Sequence, residues 1–340
     1  MVTIRDVAEA AGVSPSTVSY VFSGNKRLPA TTVARVRASA ATLGYRPHAT
    51  ARALSLGRTN IIGLLANVSL RQPEVDADIF MRFVRSAMFA SSEHGYDVLI
   101  MGRQGDEVLA DTLVDALLVM DVRMQDPRLP LIHGIGKPAV LIGMPENTFG
   151  LSAVDLDFAQ AAQIAVEHLA DLGHRSIAVL GSPINGGELS WVARFRTGAL
   201  AAAAQAGIDV RFHDVQDGVT EFDRWFEQMI AREPETTAIV LHNVQLLDSL
   251  LLRSRARGFS IPGDLSVITL APKERMSVLY PDLTILDLPG QQMLERAVDR
   301  VVRELSGEQG GVIEFIEPSL QVRASTGPAP VAGRAFLSSH

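Results

Sequence analysis

Short polar side chains share one face of a predicted helix near the N-terminus, and they are the residues of this chain best suited to hydrogen-bond chemistry. Ser14 is suited to cap the helix and Pro15 to begin it, because proline lacks an N–H group that would stay unbonded in the first turn. Val18, Val21 and Phe22 form the apolar face. The opposite face carries Ser16, Thr17, Ser19 and Tyr20. Hydroxyl groups both donate and accept hydrogen bonds, so this face is suited to reading a polar surface.

A first helix ahead of this one completes a two-helix unit. Thr3 is suited to cap it, with Asp6 at its third position, and apolar residues then recur at the helical spacing i, i+3, i+4 and i+7. Gly12 can adopt the left-handed conformation that ends a helix. Two short capped helices joined by a tight turn predict a helix-turn-helix, whose second helix enters the major groove of DNA.

A third helix is predicted from Thr32 to Leu43, where Gly44 ends it. Residues 1–60 carry eight basic and two acidic side chains, whereas the other 280 residues carry 23 basic and 36 acidic ones. A basic head on an acidic body is typical of a protein that binds a polyanion such as DNA. A structural three-helix bundle with a solvated basic face is the alternative, and the short polar outer face makes it the weaker one.

An alanine-rich segment, residues 48–56, follows the head between Pro47 and Gly57. Its length of about nine residues is below the ~12–15 that an isolated helix needs in water. We therefore expect this hinge to fold only when another surface packs against it, which would couple the head to the body.

Beyond residue 58, apolar segments rich in β-forming residues alternate with amphipathic or alanine-rich segments. The strand candidates are Ile61–Ala66, Tyr96–Met101, Ala116–Met120, Ala139–Gly143, Ser176–Gly181, Ala238–His242 and Leu265–Leu270. The helix candidates are Phe80–His94, Asp157–Leu172, Val192–Ala206, Leu246–Arg257 and Gly290–Leu305. This alternation predicts doubly wound parallel sheets, and two sets of strands predict two subdomains with a cleft between them.

The bulk composition limits the possible classes of protein. The 340 residues fit two or three domains at about 100–200 residues each. The absence of cysteine excludes disulfides and thiolate metal sites. The first residues lack the pattern of a signal peptide, and no apolar run reaches the ~18 residues of a membrane span. We expect a cytoplasmic protein with no membrane partner, no metal and no cofactor.

The segment Val2–Ser19 resembles the DNA-binding head of the lactose/galactose-repressor (LacI/GalR) family of transcription regulators, and so does Leu43–Pro47 with the hinge. The resemblance implies that three residues read base edges, namely Pro15, Ser16 and Tyr20. It implies contacts to the DNA backbone from Thr3, Thr17, Ser19, Thr32, Tyr45 and His48. Leu54 matches the leucine that is inserted into the minor groove at the operator centre.

Tyr20 departs from the family pattern, because many members carry arginine at this position. Arginine reads guanine with two hydrogen bonds, which a tyrosine hydroxyl cannot do. The preferred half-site is therefore expected to differ from the common one.

The body resembles the periplasmic-binding-protein-like ligand domain of the same family in segments 166–178, 261–267 and 317–326. The implied fold is a small all-α helix-turn-helix head plus an α/β body of two doubly wound parallel-sheet subdomains. The implied domains are a head at 1–46, a hinge at 47–57, a core at 58–326 and a disordered tail at 327–340. Within the core, the N-subdomain takes about 58–148 and 287–315, and the C-subdomain takes about 149–286 and 316–326.

The resemblance weakens at the ligand site. Family members commonly carry carboxylates where this chain has Val244 and Ala271, and an arginine where it has Phe195. A buried hydroxyl without a partner costs about 1–3 kcal/mol, so a sugar is not the default effector here. A less polar or anionic effector and a degenerate site both stay open. The candidate effector contacts are Trp191, Arg194, Arg196, Asn243 and Asp287, each of which could equally be structural.

These observations predict a sequence-specific transcription regulator, a repressor, that binds a palindromic operator in double-stranded DNA as a homodimer. A small-molecule effector in the cleft between subdomains would change its DNA affinity, in a direction that the sequence leaves open. The alternative is a degenerate cleft and control by a protein partner.

An enzyme is disfavoured, because the sequence contains neither a Walker loop nor a His-Glu-x-x-His motif. Gly134-Ile135-Gly136 precedes a strand and lacks a third glycine, so it is no dinucleotide fingerprint. Asp155 and Asp157 could form a carboxylate pair, but their place near a helix start favours capping. An exported binding protein would share the body fold and would leave the head unexplained.

Overall fold

The computed structural model describes residues 2–22, 28–45, 58–66, 77–102, 112–181, 188–215 and 219–330. The chain divides into two compact units, a head unit (residues 1–61 with 113–115) and a body unit (the rest), which are described separately. The predicted hinge at 47–57, with Leu54, lies outside the described residues, and so do His48 and residues 331–340.

The head contains three helices, α1 (Ile4–Ala11), α2 (Pro15–Phe22) and α3 (Ala30–Leu43). Thr3 and Asp6 cap α1 reciprocally: the Thr3 hydroxyl accepts from the Asp6 N–H, and the Thr3 N–H donates to the Asp6 carboxylate at 2.7 Å. Gly12 ends α1 in the left-handed conformation, at φ +60°. α3 begins at Ala30, two residues earlier than its sequence pattern predicts.

A small apolar core joins the three helices of the head. Its buried members are Val7, Ala8, Ala11, Val18, Val21, Val36 and Ala40. Tyr45 closes one end of this core, because its ring packs 5.9 Å from that of Phe22. The core fixes which face of α2 stays in solvent.

The first sheet of the body has the strand order β11-β5-β4-β3-β1-β2. Its strands are β1 (Ile61–Leu65), β2 (Asp97–Met101), β3 (Ala116–Val119), β4 (Ala139–Ile142), β5 (Ser152–Leu156) and β11 (Ile313–Ile316). The pairs β1–β3, β3–β4, β4–β5 and β5–β11 are parallel. Its helices are α4 (Ala77–Glu93), α5 (Leu129–Ile135) and α11 (Gly290–Leu305).

The second sheet has the order β12-β10-β9-β8-β6-β7. Its strands are β6 (Ser176–Gly181), β7 (Asp209–Asp214), β8 (Ala238–Leu241), β9 (Ser266–Ala271), β10 (Thr284–Asp287) and β12 (Leu320–Gln321), and β12 alone of these is antiparallel to its neighbour. Its helices are α6 (Phe158–Asp171), α7 (Ser190–Ala206), α8 (Val219–Arg232), α9 (Leu247–Ala256) and α10 (Lys273–Leu279). A 3₁₀ turn, Val244–Leu246, precedes α9. The predicted fold class, a helix-turn-helix head with two parallel-sheet subdomains, is confirmed.

Helices α6 and α7 pack unusually closely in the second subdomain. A Cβ atom on Gly198 of α7 would lie 1.9 Å from the carbonyl oxygen of Ala159 in α6. A side chain cannot occupy that space, so glycine is required where the two backbones meet.

The first crossing between the two sheets lies near residue 157, which corrects the predicted boundary at 148. β5 pairs with β4 on one side and with β11 on the other, so it belongs to the first sheet. The sequence pattern missed this strand because Ser152 and Asp155 interrupt its apolar run, although both side chains are buried.

The predicted disordered tail also begins too early, because residues 327–330 pack against the second subdomain. The Gly327 N–H donates to Ser266 Oγ at 3.1 Å, and the Ala329 N–H donates to the Leu172 carbonyl at 2.8 Å. Buried His174 lies in the same network, 2.8 Å from Thr237 Oγ1 and 3.2 Å from the Gly327 carbonyl. Glycine and proline suggested disorder, but here the backbone groups of this segment satisfy buried polar side chains.

Candidate functional site

Helix α2 divides the head into a buried apolar side and a polar side that faces solvent. Val18 and Val21 are buried on one side. Pro15 and Ser16 are exposed, and Tyr20 on the same side keeps 51% of its surface in solvent. The three predicted base-reading residues therefore share an accessible helix face.

Hydroxyl groups at the start of α2 form a small network before any ligand binds. Ser14 Oγ lies 2.8 Å from Ser16 Oγ and 2.9 Å from Thr17 Oγ1, and the Thr17 N–H donates to Ser14 Oγ at 3.2 Å. Ser14 thus caps the helix and holds Ser16 and Thr17 in place, which limits the side-chain entropy lost on binding.

The predicted backbone contacts that the structure describes lie around α2. Thr3 precedes α1, and Thr32 lies in the first turn of α3. The N–H groups of first helical turns favour phosphate groups, because they lack intrahelical acceptors. Ser19 is half-buried on α2, and Tyr45 is held against Phe22.

In the body, three of the five predicted effector residues surround His242, which the sequence analysis did not single out. The Trp191 ring lies edge-on to the His242 ring, with centroids 5.2 Å apart. Asn243 follows His242 directly, and its side-chain oxygen accepts from the Gln245 N–H at 3.0 Å. Burial, together with the smaller effect of the positive charge of Arg196, lowers the pKa of His242 to about 4.

The His242 ring occupies space that a glycine leaves open. A Cβ atom on Gly181, at the end of β6, would lie 2.0 Å from His242 Cε1. Phe195 packs 5.9 Å from His242, and Phe158 packs 5.6 Å from Trp191. The position of His242 at the carboxyl end of β8 is the one sequence signal that could have identified it, since ligands of parallel sheets bind at that end.

The stability of the body should fall as the pH drops from about 6.5 to about 4, because His242 is buried as the neutral imidazole. The pKa of His242 is lower in the folded state than in the unfolded state. Its contribution to the free energy of unfolding is therefore fully present above pH 6.5, and up to about 3 kcal/mol is lost as the pH falls to 4 and below. His242→Leu should remove this part of the pH dependence in urea denaturation followed by tryptophan fluorescence. His133→Leu, which changes an exposed histidine, is the control, and an equal effect of both changes would contradict the prediction.

Arg194 lies apart from the His242 group and contacts the first sheet. Its guanidinium carbon is 4.9 Å from the ring centre of Phe315 on β11, and its Nε atom is buried and has no hydrogen-bond partner among the described residues. Phe315 pairs with Asp155 across the two strands. Arg194 therefore connects helix α7 to β5 and β11.

Asp155 does not cap a helix, which corrects the capping interpretation for this residue. Asp157 does cap α6, since its carboxylate accepts from the Gln160 N–H at 3.1 Å. Asp155 lies within β5 and is 2% exposed. Burial raises the pKa of its carboxyl group to about 7, although the nearby Arg194 charge acts in the opposite direction.

Asp287 is separate from the other candidates and already has a cationic partner. Its carboxylate accepts from the Lys273 N–H and pairs with Lys273 Nζ, both at 3.0 Å. This pairing raises the pKa of Lys273. The structure therefore places Trp191 and Arg196 near His242, which Asn243 follows in the chain, whereas Arg194 contacts Phe315 and Asp287 pairs with Lys273.

Within the described ranges, no group of His, Cys, Asp and Glu side chains is arranged to hold a metal ion. None of the helices described is both long enough and apolar enough to cross a membrane.

Two family profiles match the chain. Residues 166–326 match the periplasmic binding protein-like domain. Residues 3–48 match the bacterial regulatory proteins of the lacI family, and this match covers all three helices of the head. The chain belongs to the lacI family.

Full-length relatives support this assignment for the head and the body together. The HTH-type transcriptional repressor PurR of Proteus mirabilis is 28% identical over 97% of this chain and 98% of its own length. The ribose operon repressor of Escherichia coli K12 is 26% identical over 90% of this chain and 94% of its own. The lac repressor dimer, solved with operator and the anti-inducer ONPF, is 25% identical over 96% of this chain and 99% of its own, with a TM-score of 0.79.

This lacI-family member is therefore a DNA-binding transcription regulator. Its relatives are transcription regulators as well, which confirms the sequence-based prediction that the chain is not an enzyme.

Proposed function

We propose that this regulator represses transcription by binding an inverted-repeat operator as a homodimer, and that a small molecule held between its two subdomains alters its DNA affinity. The observation that carries the proposal is the polar, solvent-facing side of α2 above a fully buried apolar core. Such a helix can enter a major groove without exposing apolar residues.

Base reading is assigned to Pro15, Ser16 and Tyr20, the exposed residues of α2. Backbone contacts are assigned to Thr3, Thr17, Ser19, Thr32, Tyr45 and His48. Leu54 in the hinge is assigned to the minor groove, where a leucine wedge would kink the central step. The working domains are a head at 1–46, a hinge at 47–57 and a core from 58 to 330 that crosses between sheets near 157, 288 and 318.

Exposed apolar side chains on the first subdomain support a homodimer. Met81, Met88 and Phe89 lie on one face of α4, because they are spaced seven and eight residues apart, and Phe89 keeps 68% of its surface exposed. Leu99 and Ile100 on the edge strand β2 add to the exposed apolar surface of this subdomain. A monomer rarely leaves such a surface uncovered. The lac repressor, a similar structure, is itself a dimer on its operator.

An effector between the subdomains is supported by the polar and aromatic residues where α7 contacts both sheets. The proposed contacts are Trp191, Arg194, Arg196 and Asn243. Asp287 is left out because its carboxylate already forms an ion pair with Lys273. A similar structure, 24% identical with a TM-score of 0.67, is the regulator CelR in complex with cellobiose. A ligand that bridges two subdomains can shift their relative position. In a dimer this shift would also change the distance between the two hinges, which precede the subdomains in the chain.

Genomic selection of bound DNA with the full-length protein tests this proposal. We expect the enriched fragments to share an inverted repeat, and the protein to bind it with two chains per duplex. Binding of one chain to an isolated half-site as tightly as to the full repeat would overturn the dimeric part. The absence of any enriched sequence would overturn sequence-specific regulation.

Tyr20→Ala should weaken binding to the selected operator about 10- to 100-fold, because one good base contact is worth about 1–3 kcal/mol. Binding to a scrambled duplex should stay unchanged, since phosphate contacts carry it. Tyr20→Phe separates the hydroxyl from the ring. Thr42→Ala is the control, because its exposed hydroxyl lies on α3 and donates to the Ala38 carbonyl of its own helix. Fluorescence anisotropy with both duplexes measures these effects, and an equal loss on both would argue against base reading.

A further inference from the structure

Among the residues that the structure describes, three buried polar atoms at the contact between α7 and the first sheet have no hydrogen-bond partner. They are Asp155 Oδ2, Ser190 Oγ and Arg194 Nε. Asp155 is 2% exposed and Ser190 is 1% exposed. Leaving a buried polar group unpaired is unfavourable, so three in one region call for a missing partner.

The backbone brings these three side chains to the same place. Ser190 and Arg194 are four residues apart on α7, so they lie on one face of the helix. The Ser190 Oγ atom lies 3.1 Å from where a Cβ atom on Gly143 would stand, at the end of β4. The residue after Gly143, Met144, donates a backbone hydrogen bond to Asp155.

Another buried aspartate and arginine, both in the first subdomain, bond each other directly. Arg128 Nη2 lies 2.6 Å from Asp126 Oδ2 and also donates to the carbonyls of Met120 and Asp121. This direct pairing lowers the pKa of Asp126, although its burial acts the other way. In the part of the chain that the structure describes, Asp155 and Arg194 form no such ion pair, although the Arg194 charge acts on the Asp155 carboxylate, so each keeps a polar atom that a third group could bond.

The charges on the two sides select the kind of group that fits. An anion would be repelled by Asp155 when it is ionised, and a cation would be repelled by Arg194. An uncharged group that donates to the carboxylate and accepts from the guanidinium satisfies both. A hydroxyl group does so, and so does the edge of a carboxamide or nucleobase.

The positions where the family resemblance predicts polar ligand contacts are apolar and buried in this chain. Phe195 is 1% exposed, Val244 is 6% exposed and Ala271 is fully buried. Trp191, which follows Ser190, is half-buried, and its ring packs against Phe158 and His242. The polar end of a ligand therefore finds its partners on β5 and α7.

We infer that Asp155, Ser190 and Arg194 form the polar end of a binding site for an uncharged small molecule that presents a hydrogen-bond donor beside an acceptor. The inference rests on the proposed effector function and names the chemistry of the effector. It adds Asp155 and Ser190 to Arg194, which the sequence had already made a candidate effector contact.

Crystals of the full-length protein soaked separately with ethane-1,2-diol and acetamide test the site directly. We expect one of these probes to bridge Asp155 Oδ2 and Arg194 Nε. A water molecule alone between them with both probes would overturn the inference, because the site would then be structural.

Isothermal titration calorimetry then shows whether the site prefers ligands with hydroxyl groups or ligands with an amide edge. The probes are D-glucose and D-ribose for hydroxyl ligands, and nicotinamide and hypoxanthine for amide edges. Gluconate and nicotinate are their charged counterparts. We expect one neutral compound to bind, and Asp155→Asn and Arg194→Met each to weaken it at least tenfold. Asp157→Asn, which keeps a capping side chain on α6 and removes only the smallest of the charge effects on Asp155, should change the affinity less than twofold.

Equal binding of a charged counterpart, equal affinities in all variants, or no binding by any of the four neutral compounds would overturn the inference. Operator binding is measured on the same preparations. A wild-type protein that binds the inverted repeat but no probe contradicts the ligand site alone, whereas loss of sequence-specific DNA binding contradicts the proposed function.

Discussion

Asparagine in place of Asp155 should stabilise the unliganded protein at pH 8 by up to about 4 kcal/mol. The folded pKa of this carboxyl group is about 7, whereas its ordinary value is 3.8. Above pH 7 the folded state must bury an ionised carboxylate, and each unit of pKa difference is worth about 1.4 kcal/mol. Asparagine occupies the same space without the charge, so it removes most of this cost.

The sign of the pH dependence follows from the raised pKa. Protonation of Asp155 favours the folded state, so its cost is absent below about pH 3.8 and complete above about pH 7. The gain from Asp155→Asn should therefore shrink as the pH falls through this window. Urea denaturation followed by the fluorescence of the two tryptophans measures it at pH 8, 6 and 4.

Asp157→Asn is the matched control for this prediction. Asparagine is nearly as good an N-cap as aspartate, and the Asp157 charge is the smallest of the effects on the pKa of Asp155, so the change two residues away should alter stability little and rise much less between pH 4 and pH 8. A loss of stability in Asp155→Asn at pH 8, or a gain that does not vary with pH, would show that the Asp155 carboxylate has a partner that stabilises it in the folded state.

If Asp155→Asn stabilises the protein, the native aspartate lowers its stability and is expected to serve another purpose. Selection removes residues that cost several kcal/mol unless they perform a task, and perturbed carboxyl groups cluster at functional sites for this reason. Arg128 and Asp126 show that the first subdomain can bury a carboxylate that bonds directly to a guanidinium group. The incomplete bonding of Asp155 therefore points to a ligand, which ties the stability experiment to the binding experiment.

The head could be predicted residue by residue because its signals are local. Thr3, Asp6 and Gly12 act within one turn of the helix that they begin or end, so spacing in the sequence determines their geometry. The start of α3 was misplaced by two residues because Pro29 precedes it without a side-chain cap.

The junction of the body could not be predicted in the same way, because its properties depend on residues distant in the chain. Asp155 is buried since β4 and β11 flank it, and its neighbour Arg194 arrives from a helix of the other subdomain. His242 is neutral because its ring is buried, in space that Gly181, far away in sequence, leaves open. A carboxylate near a helix start looks like a cap until the strand that contains it is identified.

Phe89→Asp should separate the proposed dimer and weaken operator binding about 10²- to 10⁴-fold, the gain that linking two binding modules commonly provides. Phe89 lies with Met88 on the exposed face of α4, and a carboxylate there would have to be desolvated in the dimer interface without a partner. The residue is 68% exposed in the single chain, so the substitution should not disturb the folded monomer.

Leu200→Asp is the control, because it introduces the same charge at an exposed leucine on α7, away from the proposed interface. Sedimentation velocity measures the mass, and anisotropy with the full inverted repeat measures affinity. A Phe89→Asp protein that stays dimeric would place the interface on another surface, such as exposed Val278 and Leu279 of α10. A monomer that still binds the full repeat as tightly as wild type would show that one head supplies the affinity, and the inverted-repeat mechanism would then be wrong.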